Sequence, residues 1–140
     1  LNSLHCFVRS NLLEVFVTGP EKNNRVGLRC VFCSHINRRL RDSGSAQFPR
    51  TTADIYRSVC TWQRVHFQNC RYVPSSVLER YRELKECDRT RGKVRYWMES
   101  AKKLGLMDNT TSKELTVVND TYIDHEEGSN TPNSQENDDE

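Results

Sequence analysis

Nowhere does this sequence hold the roughly 20 consecutive apolar residues that a membrane-spanning helix needs, and its longest apolar patch, around Leu12 to Val17, is interrupted by Glu14. No membrane partner is expected, no segment is assigned as a signal peptide, and the protein is read as intracellular. A glycine-rich nucleotide loop, a nucleophile elbow and a compact carboxylate pair are also missing, so the common devices for acting on a small-molecule substrate lack their residues. The expectation is a protein that is not an enzyme. Acids are scarce where bases are dense: from Arg25 to Lys103 there are 18 Lys or Arg against 7 Asp or Glu, whereas 108–140 holds ten acids and a single base, Lys113. The overall charge of +2 hides a basic body and an acidic end.

A chain of 140 residues has room for one modest domain, and a domain of that size buries only part of its surface unless something staples it. The composition divides the chain into a zinc-binding domain over 1–107 and a disordered acidic tail over 108–140, whose Asn, Asp, Glu, Ser and Thr cannot offset the entropy of ordering. Within the domain the pattern predicts an α+β fold, α-rich, with about four helices and a short β-hairpin. Leu4, Val8, Leu12 and Val15 share a helical face from Leu4 to Phe16, although Leu12 to Val17 also fits a strand. Arg25 to Val31 alternates as a strand, with Ala46 to Phe48 as its antiparallel partner. A helix is predicted from the Thr51-Thr52 cap to about Asn69, with Asp54 in its first turn. Ser76 and Glu79 have the spacing of a capping box before a helix bearing Val77, Leu78, Tyr81 and Leu84. Val94, Trp97, Ala101 and Leu104 mark a last helix that stops at Gly105.

The chemistry lies in C-x2-C-x32-H-x3-C, formed by Cys30, Cys33, His66 and Cys70. Two thiolates across a tight turn reach one ion, and a His and a Cys one helical turn apart supply the other two ligands; four protein ligands make a closed, structural zinc site with no open position for catalysis. At 100° per residue, Ile55, Val59, Trp62, His66 and Cys70 all fall within about 40° of His66, so the ligand pair continues the core face. Cys60 points elsewhere, displaced about 9 Å and 120° from His66. His35 stands close enough to Cys33 to replace a ligand, and buried cysteines with a core histidine are the plainer alternative. A disulfide framework fits six cysteines arithmetically but not a C-x2-C pair facing H-x3-C.

Arg57, Arg64 and Arg71 recur every seven residues, and Arg64 lies about 160° around the helix from His66, opposite the ligand face. With Arg38, Arg39 and Arg41 in the loop they make a candidate nucleic-acid surface. Arginine also grips carboxylates, so an acidic protein surface is the alternative partner, and a merely solvated face is the third reading.

The segments Arg25-Val26-Gly27-Leu28-Arg29-Cys30-x2-Cys33, Phe48-Pro49, Ile55-Tyr56, His66-x3-Cys70, Val73-Pro74 and Tyr96-Trp97-x3-Ala101-x2-Leu104-Gly105 resemble a family abundant in diatoms and related algae, across roughly 7–108. That resemblance carries no activity, substrate or partner with it. A looser similarity is to zinc fingers of the BED and BIR kinds, from which the long spacer departs. The function expected from the residues is a zinc-stabilised module that contacts nucleic acid, working in the nucleus.

Overall fold

A computed structural model describes residues 3–89, 91–109 and 111–117. They form a small α+β domain of four helices, a three-stranded antiparallel sheet and a separate two-stranded hairpin. The first helix, α1 (Ser3–Phe7), loosens into a π-turn over Val8–Leu12 and gives way to strand β1 (Leu13–Val17). Of the two readings open for Leu12 to Val17 the strand prevails, since β-branched Val15 and Val17 pack readily on a pleated surface and find a partner in β2 (Val26–Cys30).

The register puts Leu13, Val15 and Val17 opposite Cys30, Leu28 and Val26 on the core face. On the other face Glu14 meets Arg29 at 2.6 Å and Phe16 sits opposite Gly27. Gly27 is required there: a Cβ would come within 2.7 Å of Phe16 and 2.8 Å of Phe48, two rings that meet edge to face. The short strand β3 (Ala46–Gln47) pairs antiparallel with Leu28 and Arg29, the partner expected over Ala46 to Phe48, and ends one residue earlier.

The core face is covered by helices. Helix α2 (Ile55–Val65) buries Ile55, Val59 and Trp62, one turn apart, and packs on α4 (Lys93–Lys103), while α3 (Ser75–Cys87) lies against α1 and buries Tyr81. The predicted apolar face of α4 is only half used: Trp97 and Ala101 are buried, but Val94 and Leu104 are exposed. The capping box does not form. Pro74 occupies the N-cap of α3, and no side chain caps its first turn.

Two further departures matter for the site. Neither Thr51 nor Asp54 caps the turn leading into α2. The Asp108 carboxylate instead accepts from the Thr52 amide at 2.7 Å and from its hydroxyl at 3.0 Å, placing a negative charge where the helix leaves donors unpaired. Asp108 belongs to β4 (Leu106–Asn109), which pairs with β5 (Glu114–Val117), and Leu115 in β5 is fully buried. The boundary expected at 107 therefore cuts through a folded hairpin, because one buried leucine and one capping carboxylate hold a segment whose average composition reads as unfoldable. The disorder expected further along falls on 118–140, outside the described residues.

His5 is, besides His66, the one buried histidine among the described residues. Its Nδ1 accepts from the Trp97 indole at 3.1 Å, between the rings of Tyr56 and Tyr96. Burial, aided by the charge of Lys93, holds its pKa below the ordinary 6.5. The unfolded chain therefore binds a proton that the folded chain refuses, so the contribution of neutral His5 is complete above about pH 6.5 and declines as the pH falls toward the depressed value. Denaturant titrations should show His5→Phe with a flatter loss of stability than the parent between about pH 6.5 and 5. Parallel curves would mean that His5 binds its proton equally well in the folded and the unfolded chain.

Candidate metal centre

Strand β2 ends on Cys30, whose amide bonds to the Ser45 carbonyl, and the chain turns at once, with the Ile36 amide closing on the Cys33 carbonyl. This turn aims both sulfurs at the C-terminal end of α2. There the predicted helix does not run on to Asn69. It stops at Val65, His66 forms its C-cap, and Phe67–Asn69 tighten into a 3-10 turn before Cys70 takes an extended backbone (φ −75°, ψ 120°). Asn69 completes the break by donating its side-chain amide to the Val65 carbonyl, one of the acceptors a helix end leaves open. His66 and Cys70 thus converge through a turn rather than along one helix face.

The four predicted ligands come together. The candidate ligand atoms of Cys30, Cys33, His66 and Cys70 all lie within 4.8 Å of one another, and all four residues are buried. Cys33 Sγ and His66 Nε2 are 3.6 Å apart. Zinc–sulfur and zinc–nitrogen bonds of about 2.3 and 2.0 Å at a tetrahedral angle would set that separation near 3.5 Å. His66 Nδ1 faces the carbonyls of Asp42 at 3.2 Å and Ser43 at 3.0 Å. With two acceptors there the proton belongs on Nδ1, which leaves the Nε2 lone pair turned toward the sulfurs, the tautomer a metal ligand requires.

Comparison with family models, with curated proteins and with solved structures finds no match for this chain. The chemistry is therefore read from the donor set itself. Burial pushes the Cys30 thiol up to about 12, against backbone hydrogen bonds from Phe32 and Cys33 that favour its thiolate. Burial also raises Cys33, opposed in part by the charge of Arg41. Three sulfurs and an imidazole packed this tightly out of water are compatible with a zinc site, where the cation supplies the charge that lets the thiols ionise.

The remaining sequence candidates divide by position. His35 is exposed and outside the cluster, as are Cys6 and Cys87, while half-buried Cys60 also stands apart. Arg41 turns inward: its Nε donates to the Ile36 carbonyl at 2.8 Å and its Nη2 to the Ser34 carbonyl at 2.7 Å, closing the loop after Cys33. Arg71 grips Asp42 through its backbone amide at 2.8 Å and its guanidinium at 3.0 Å, holding the Asp42 carboxyl below its ordinary range. These two arginines build the site. Arg38, Arg39 and Arg64 are exposed and make no side-chain hydrogen bond or ion pair with another described residue, and Arg57 makes only a loose 3.8 Å pair with Asp54.

Asp42, Ser43 and Gly44 are the functional residues that sequence reasoning missed. Gly44 has a left-handed backbone (φ +78°), and a Cβ there would come within 2.7 Å of Val65; this close approach lets the loop lay its carbonyls against His66. A glycine in a polar loop was the only hint, and it does not say which residue the loop meets.

Proposed function

We propose that this protein is a non-enzymatic, zinc-stabilised module that binds nucleic acid. The observation that carries the reading is that the loop following Cys33, residues 34–44, is tied to the candidate ligands at both ends while Arg38 and Arg39 project from it into solvent. Arg64, and more loosely Arg57, extend the free positive charge along α2. Asp42, the acid of the same loop, is already committed to Arg71. Such a surface favours a polyanion, because each phosphate neutralised releases condensed counterions. A DNA target would place the work of the protein in the nucleus.

Four arginines on phosphates predict a slope of about −3 to −4 for log K against log salt on duplex DNA. Arg64→Ala should flatten that slope by about one, weakening unrelated sequences equally. Fluorescence anisotropy with generic DNA and RNA across a salt series provides the measurement. Absence of binding at low salt, together with capture of an acidic peptide, would replace this reading with that of a protein-interaction module.

A further inference from the structure

Leu40 is 61% exposed, the most exposed large apolar side chain among the described residues. It closes a short 3-10 turn, Arg38–Leu40, directly after both free arginines. An apolar side chain in water on a loose loop would attract little notice, but this turn is held from several directions. Asn37 Oδ1 accepts the Arg39 amide at 2.9 Å, the Leu40 amide bonds back to the Asn37 carbonyl at 2.8 Å, and the Leu40 carbonyl accepts from the Tyr72 hydroxyl at 3.4 Å. Arg41 fastens the base of the loop to Ser34 and Ile36, and His66 receives its far end. The ordering entropy of the tip is thus met before any partner arrives.

A fastened tip carrying one bare leucine beside two free arginines is poorly matched to a protein hot spot, which needs a cluster of anchors, aromatic above all, shielded from water. It is well matched to a target that takes one apolar side chain at a time. Minor-groove proteins push single Leu, Ile, Phe or Met wedges between base steps while basic residues hold the backbone, and the narrow groove of A·T tracts attracts arginine. We infer that Leu40 is an intercalating wedge, entering the minor groove of A·T-rich duplex DNA with Arg38 and Arg39 beside it and bending the duplex. This rests on the nucleic-acid reading above and adds to it a groove, a base preference and a deformation of the DNA.

The test uses the full, zinc-loaded chain and a duplex of about 25 base pairs with central alternating TA steps, which kink readily, labelled at both ends for resonance energy transfer. The parent protein should raise the transfer efficiency, as expected for a bend within about 20–90°. Leu40→Ala should abolish the rise and weaken binding about ten-fold, because the contacts that the bent duplex makes with the protein are lost with the wedge. Its zinc content and salt slope should stay as in the parent, which separates a lost wedge from a lost fold, and Leu40→Met should restore the bend. If Leu40→Ala binds and bends like the parent, or if single-stranded RNA outcompetes the duplex, the wedge is refuted while nucleic-acid binding stands. If the parent binds neither DNA nor RNA, both readings fall together.

Discussion

Stripping the metal with a strong chelator should unfold the domain cooperatively, with loss of near-ultraviolet circular dichroism and exposure of Trp62. Structural zinc supplies apparent free energies of about 10–16 kcal/mol in finger peptides, as much as a small domain's whole stability of about 5–15 kcal/mol. The candidate ligands are also part of the core. His66 and Cys33 are fully buried, and the Trp62 ring lies tilted against both His66 and Phe67, so losing the ion would leave unpaired polar atoms close to aromatic rings. Cys70→Ser and His66→Ala should give the same unfolded chain without bound zinc, whereas Cys60→Ser should fold and keep one ion. Since the Cys30 and Cys33 thiols are raised by burial, zinc uptake must expel protons, and affinity should fall as the pH falls. Calorimetry in buffers of different ionisation enthalpy would count those protons, and metal analysis would count the zinc. A chain that keeps its near-ultraviolet spectrum without metal would remove the site from any structural role.

The second large effect concerns the hairpin. A chain ending at residue 107 should be less stable than one ending at 117 by about 4 kcal/mol or more, summing the loss of a buried leucine (about 2–5 kcal/mol) and of hydrogen bonds to a charged group (about 1.5–3 kcal/mol). Its urea midpoint should drop accordingly. Asp108→Ala in the full chain should take a share of this, about 1–3 kcal/mol, because it leaves the Thr52 amide without its acceptor. Equal midpoints for the two truncated chains would make β4 and β5 a bystander.

What the sequence disclosed and what it withheld divide along range of interaction. The ligand quartet was legible because tetrahedral coordination restricts both residue type and spacing, and because Val59, Trp62 and His66 repeat with the helix period. Strand β2 and its partner β3 were legible as alternation bounded by a loop. The first strand was ambiguous because Leu12 to Val17 satisfies two periods at once, and the choice rests on β2, across the Pro20–Lys22 turn. The cap on α2 was invisible for a stronger reason: its carboxylate arrives from Asp108, 56 residues away, and no local pattern records such a partner. Arg41 and Arg71 looked like members of a basic surface because charge counting does not distinguish an arginine bonded to carbonyls from one bonded to water. The break at His66 likewise escaped notice. His and Cys four residues apart suit a helix, yet here the convergence of their ligand atoms comes with a 3-10 turn and an extended Cys70.

The bond between Thr52 and Asp108 also sets a timetable for a chain emerging from the ribosome. All four candidate ligands have been made once Cys70 is added, but the carboxylate that closes the start of α2 and the buried leucine of the same hairpin come up to 45 residues later. At translation speeds of about 5–20 residues per second, that is an interval of roughly 2–9 s. Through that interval the nascent chain can already hold an ion while the opposite end of its central helix stays open to solvent. The domain would be completed from its metal end toward its hairpin, and the arginine-bearing loop would be set before the fold that supports it has closed.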